Sequence, residues 1–197
     1  MSGPQCCSNP PTLNSNAGAG HVEQLGGLSS YVSGSPDSKR AVLLISDVFG
    51  YEAPNLRKLA DKVAKSVIEA VKSKGASAVG AAGFCWGAKV VVELAKSELI
   101  QSAVLLHPSF VTVEDIKGVK APIAVLGAEI DNLSPPELLK QFEEVLAAKP
   151  EVDGYVKIFP KVSHGWTVRY NVEDEAVVKS AEEAHQNLLE WFDKCVK

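Results

Sequence analysis

The sequence predicts an α/β protein with a mainly parallel sheet and helices on both faces. Three observations carry this. First, AVLLIS (41–46), SAVGAAGF (77–84), SAVLLH (102–107), PIAVLGA (122–128) and YVKIF (155–159) are short apolar runs. Strands buried on both faces read as such runs rather than as alternating patterns. Second, stretches with helical apolar stripes separate them, and strands that alternate with helices pair in parallel by crossover. Third, cap and turn residues punctuate the boundaries. In sheets of this kind, chemistry gathers at the C-terminal strand ends.

Taken in order, residues 1–20 are rich in Ser, Asn, Pro and Gly and read as a flexible tail. Residues 21–197 read as a single domain. Short strands are expected at 21–25 and 28–33, with Gly26-Gly27 as their turn. The 41–46 run ends in Asp47-Val48-Phe49-Gly50. A helix is expected over 55–74, striped by Leu56, Leu59, Val63, Val67 and Val71 and stopped by Gly75. Gly87 to Ser97 reads as the helix after the 77–84 strand. Ser134-Pro-Pro-Glu137 matches a capping box, and Leu138, Phe142, Val145 and Leu146 give that helix its buried face. The last helix, 174–196, carries Val177, Ala181, Ala184, Leu188, Trp191 and Cys195 on one stripe. Glu173, Asp174 and Glu175 suit its positive end.

Composition narrows the function classes. The chain has 197 residues, 46% hydrophobic and 22% charged, ordinary for a globular domain. A net charge of −4 argues against nucleic-acid or anionic-membrane partners. No apolar run nears the roughly 18 residues that span a bilayer. The first residues lack a signal-peptide pattern, so a cytoplasmic location is expected. The four cysteines, Cys6, Cys7, Cys85 and Cys195, form no CxxC pair. Neither HExxH nor GK[ST] occurs, and the glycines before Cys85 miss the GxGxxG spacing. The expectation is therefore no metal and no cofactor.

Only Cys85 has a context that suggests chemistry. Gly83-Phe-Cys-Trp-Gly87 places a cysteine between a strand and a helix with glycine on either side. That is the pattern of a nucleophile elbow, whose sharp turn needs small neighbours. The helix behind it favours thiolate over thiol. The Trp86 N–H would be an oxyanion donor, a group typically worth about 3 kcal/mol of barrier. Asp131 follows the 122–128 strand, with Glu129 as a rival acid. His164 follows the 155–159 strand. Nucleophile, acid and histidine then come in α/β-hydrolase order. Such a histidine shuttles a proton while the carboxylate fixes its tautomer. His107 ends a strand at the same sheet edge, whereas His21 and His185 read as surface positions. Asp47 and Glu52 follow the first buried strand.

The sequence resembles the dienelactone hydrolase family (carboxymethylenebutenolidase-like), most of all its plant members. The stretches that carry the likeness are LLISDVFGYEAPNLRKLAD, GAAGFCWGAK, LLHPSF, LGAEIDNLSPP and FPKVSHGWTVRY. The resemblance implies an α/β-hydrolase fold and a triad of Cys85, Asp131 and His164. It implies an oxyanion hole from Trp86 and Val48. Asp47 would stand where bacterial members hold the resting thiol with a glutamate, and Arg169 would bind a substrate carboxylate. The implied activity is hydrolysis of small ester or lactone substrates through an acyl-enzyme, without a cofactor.

The resemblance breaks once. LRKLADKVA runs directly into KSVIEAVKSKG, so a strand unit of the family is missing between residues 64 and 65. The join keeps helical phase, giving one helix of about 30 Å. By resemblance the 41–46 and 77–84 strands are neighbours, so the lost strand exposes an edge. That edge makes a homodimer an expected partner state, and the sheet is expected to be less stable and more open. Two alternative functions stand beside ester hydrolysis. One is a catalytically impaired shortened form. The other is endo-1,3;1,4-β-D-glucanase activity, the label of plant relatives. It needs paired carboxylates about 5–10 Å apart, drawn from Asp47, Glu52, Glu129 and Asp131.

Overall fold

The computed structural model describes residues 4–25, 28–35, 37–50, 52–55 and 78–197. The expected turn at Gly26-Gly27 and nearly all of the helix expected at 55–74 lie outside them. β1 (His21–Leu25) and β2 (Leu28–Val32) pair antiparallel as a two-stranded sheet of their own. The main sheet holds β3 (Arg40–Ile45), β4 (Ala78–Phe84), β5 (Ser102–Leu106), β6 (Ile123–Ile130) and β7 (Gly154–Ser163). All of its pairings are parallel, and its order is the chain order, β3-β4-β5-β6-β7. β3 and β4 are neighbours, with Val42 opposite Gly80 and Leu44 opposite Ala82.

This order explains where the helices lie. Right-handed crossovers that step in one direction all cover the same face. α1 (Gly87–Ala95), α2 (Val113–Gly118) and α3 (Pro136–Ala147) link β4 through β7. Their Val91, Val92, Ile116, Leu139 and Phe142 pack on Ala81, Ala103, Leu105, Ile123 and Val125. The alternate strand residues, Ala82, Phe84, Val104, Leu106, Ala124 and Leu126, face the other way. α4 (Glu175–Cys195) covers that second face with Ala181, Ala184, Leu188, Trp191 and Phe192. Each fully buried Leu or Phe contributes about 1.5–3 kcal/mol relative to exposure, so both layers hold the sheet strongly.

Two expectations are corrected, and one short helix is added. Ser134 does not cap α3. Pro135 is the N-cap without a side-chain bond, and Ser134 Oγ, fully buried, donates to the Pro108 carbonyl at 2.8 Å. That bond ties the loop after β6 to the loop after β5, a better use of a buried hydroxyl. α2 was not anticipated because it is short. Its capping box, Thr112 with Asp115, is formed. His185 is buried, with Nε2 2.7 Å from the Thr167 carbonyl, because α4 turns this position onto the segment that follows β7.

Candidate active site

Each strand of the main sheet delivers one polar residue at its C-terminal end: Asp47 after β3, Cys85 after β4, His107 after β5, Asp131 after β6 and His164 after β7. All five are buried. In-register parallel strands end together, so residues distant in sequence share one edge.

Cys85 has φ +55, a left-handed conformation that non-glycine residues rarely adopt. Backbone bonds over-determine it. Its N–H donates to the Leu106 carbonyl at 3.1 Å, and its carbonyl accepts from Ser109 N at 2.9 Å and Ala88 N at 3.2 Å. The flanking glycines are steric requirements. A Cβ on Gly87 would stand 2.3 Å from the Ile45 carbonyl oxygen, and one on Gly83 would stand 2.3 Å from the Gly87 oxygen. The start of α1 therefore packs directly on the end of β3, which presents Cys85 and the Trp86 N–H at a helix N-terminus.

Asp131 and His164 meet as expected. Asp131 Oδ2 lies 2.7 Å from His164 Nδ1, and both side chains are 0% exposed. The other carboxylate oxygen accepts from Leu133 N at 2.8 Å and Ser134 N at 3.3 Å, which fixes its rotamer. Burial opposes protonation of His164. Hydrogen bonding and charge from Asp131 and Cys85 outweigh it and raise the pKa to about 8. Glu129, the rival acid, instead accepts from Lys161 N at 2.6 Å.

Asp47 and Arg169 are brought together. Arg169 Nε stands 3.1 Å from Asp47 Oδ2, and Phe49 N donates to Asp47 Oδ1 at 3.0 Å. Burial raises the Asp47 pKa, with the Phe49 N–H, Arg169 and His164 pulling the other way. The Arg169 guanidinium also covers the Phe49 ring and lies against Gly165, where a Cβ would stand 2.3 Å from it. Its Nη1 donates to the Ser8 carbonyl at 2.7 Å. Val48 sits between Asp47 and Phe49 just after β3 and is 42% exposed.

Ser109 and Thr167 escaped sequence reasoning, whereas His107 was expected at this sheet edge. Ser109 Oγ lies 3.3 Å from Cys85 Sγ. Its signal was its place in LLHPSF, just past a strand end. The His107 ring meets the His164 ring edge-on, with centroids 4.9 Å apart. Burial, then the charges of His164 and Arg169, keep the His107 pKa far below normal, so this neighbour is neutral. Thr167 Oγ1 holds His107 Nε2 at 2.9 Å. A cavity of about 700 Å³ opens beside His164, lined also by Trp166, Arg169, Tyr170, Asn55 and residues 9–12 of the segment expected as a tail. Cys85, which is 0% exposed, is not among the described residues that line it. Among the described residues, no His, Cys, Asp or Glu cluster has a metal-binding arrangement, and no helix is long and apolar enough to cross a membrane.

The dienelactone hydrolase family model matches residues 65–196, starting where the join was expected. A maize protein named endo-1,3;1,4-beta-D-glucanase is 37% identical over 193 aligned positions, covering 75% of this chain and 63% of its own length. The chain thus spans less than two thirds of that relative. Since 75% of 197 residues is about 148, roughly 45 of the 193 positions stand opposite gaps in this chain. A carboxymethylenebutenolidase homolog of Xenopus tropicalis is 28% identical over 227 positions, covering 90% of this chain and 91% of its own. The crystal structure of an alpha/beta hydrolase enzyme, MGS-MChE2, from lagoon-sediment metagenome aligns with TM-score 0.62 at 17% identity, over 88% of this chain and 98% of that one. The fold is that of the α/β-hydrolases, and the chain belongs to the dienelactone hydrolase family.

Proposed function

We propose that the protein hydrolyses small-molecule esters or lactones through Cys85, His164 and Asp131. The observation that carries this reading is the buried 2.7 Å contact of Asp131 with His164 Nδ1, beside a cysteine held at φ +55 on a strand-to-helix turn. Asp131 keeps one proton on His164 Nδ1, and Nε2 takes the thiol proton, giving the thiolate–imidazolium pair that the raised His164 pKa favours. Sγ then attacks the carbonyl carbon. The oxyanion is received by the Trp86 and Val48 N–H groups. Collapse breaks the C–O bond, and His164 returns its proton to the leaving alkoxide. Water, deprotonated by His164, cleaves the thioester, releasing the acid and restoring the thiol. Arg169 lines the cavity beside His164 and is the contact for a substrate carboxylate, with Asp47 orienting its guanidinium.

One observation favours a second reading, a catalytically impaired form: the cavity is lined by His164 but not by Cys85, whose thiol has no exposed surface. Glucan cleavage has weaker support. Asp47 is taken up by Arg169, Asp131 by His164 and Glu129 by Lys161. Turnover of an activated ester, dienelactone and a mixed-linkage glucan by wild type and Cys85→Ala separates the three. Ester turnover lost in Cys85→Ala is the expected result. Unchanged ester turnover in that variant would remove Cys85 from the reaction.

A further inference from the structure

We propose that the N-terminal segment is a working part of the active site, with Gln5 positioning Asp131 and residues 9–12 walling the substrate cavity. This rests on the hydrolase reading above. The Gln5 side chain donates from Nε2 to the Ile130 carbonyl at 2.9 Å, and its Oε1 accepts from Asn132 N at 2.6 Å. One planar amide thus holds the backbone on both sides of Asp131. A methionine can make neither bond, and a glutamate can make only the second.

The Asp131 carboxylate is fixed by the turn that follows it, through Leu133 N and Ser134 N. Its placement against His164 is therefore the placement of the 130–134 backbone, which Gln5 pins on both sides of Asp131 while the Ser134 bond to the Pro108 carbonyl ties its far end. Further anchors carry the segment across the C-terminal sheet edge. The Ser8 carbonyl accepts from Arg169 Nη1 at 2.7 Å, and Asn14 N donates to the Glu52 carbonyl at 3.1 Å. Between them Asn9, Pro10, Pro11 and Thr12 face the cavity together with His164. Two prolines in succession fix φ and lose little freedom on ordering, which suits a rigid wall.

The test uses the full chain with three variants: Gln5→Met, Pro10→Gly/Pro11→Gly and Cys85→Ala. Ester kinetics, melting temperature and NMR titration of the His164 ring are measured. Gln5→Met is expected to lower kcat about tenfold with KM within twofold, because small misplacements of a catalytic group cost 10- to 100-fold. The His164 midpoint should fall from about 8. The other groups facing His164, namely Cys85, His107, Asp47 and Arg169, stay unchanged in this variant. The double glycine variant is expected to raise KM severalfold at constant kcat. An unchanged kcat and His164 midpoint in Gln5→Met would overturn the positioning role. So would a lower kcat that follows a lower melting temperature with the midpoint unmoved. An unchanged KM in the double glycine variant would overturn the wall. Should Cys85→Ala keep full turnover, the role of Cys85 as nucleophile falls by itself, and the His164 midpoint still decides Gln5.

Discussion

Replacing Asp131 by Asn keeps the shape of the site and changes one proton. Asn Oδ1 can go on accepting from Leu133 N and Ser134 N, as the aspartate does at 2.8 and 3.3 Å. The amide nitrogen then faces His164 Nδ1 and donates to it. The imidazole must carry its proton on Nε2, where it meets the thiol as a donor and cannot act as its base. Ester turnover should fall about 10⁴-fold, the loss found when the acid of a serine-protease triad becomes an amide. Stability should change in a pH-dependent way. The folded His164 pKa of about 8 lies above the ordinary 6.5, so its ionisation stabilises the fold fully below about pH 6.5 and loses that effect as pH rises through about 8. A shift of that size corresponds to about 2 kcal/mol. The side chains are 0% exposed, so solvent screening does not reduce it appreciably. Asp131→Asn should therefore cost more at pH 6 than at pH 9, by at most about 2 kcal/mol because Cys85 also supports the shift. Urea unfolding at the two pH values, NMR titration of His164 and ester kinetics read the three effects. A His164 midpoint that stays near 8, or turnover within tenfold of wild type, would refute the reasoning.

Other predictions concern the elbow and its support. Gly87→Ala should cost about 1–3 kcal/mol in urea unfolding, because its methyl meets the fixed Ile45 carbonyl oxygen; equal midpoints would mean that β3 can retreat. Cys85→Gly should be more stable than Cys85→Ala by about 1 kcal/mol, despite the usual cost of glycine, since only glycine adopts φ +55 freely. Thermal unfolding that ranks them the other way contradicts a strained elbow. Thr167→Val leaves His107 Nε2 buried without its hydroxyl partner, so it should cost about 1–3 kcal/mol. A neutral result by denaturant titration would show that His107 finds another partner.

Much of the site was legible in the sequence because its signals are local. GFCWG carries its own steric logic: the glycines at 83 and 87 are where a Cβ would strike backbone, and the residue between them takes the strained turn. Cys85, Asp131 and His164 could be ranked because each follows an apolar strand run in hydrolase order. The partners of Asp47 and Ser134 could not. By resemblance Asp47 stands where bacterial members hold the thiol with a glutamate, and its ion-pair partner is Arg169; Ser134 reads as a helix cap but bonds to Pro108. Both depend on which loops meet at the sheet edge.

The sequence by itself determined the alternation of strands and helices, the elbow and the polar residues at the strand ends, since each depends on neighbours within a few positions. Only the tertiary structure decided that His107 backs His164 as a neutral ring, that Arg169 is held by Asp47 and Ser8, and that Gln5 grips both sides of Asp131. These contacts join residues up to 161 positions apart, and no local pattern in a single chain encodes such a separation. Packing the strands in register sets it.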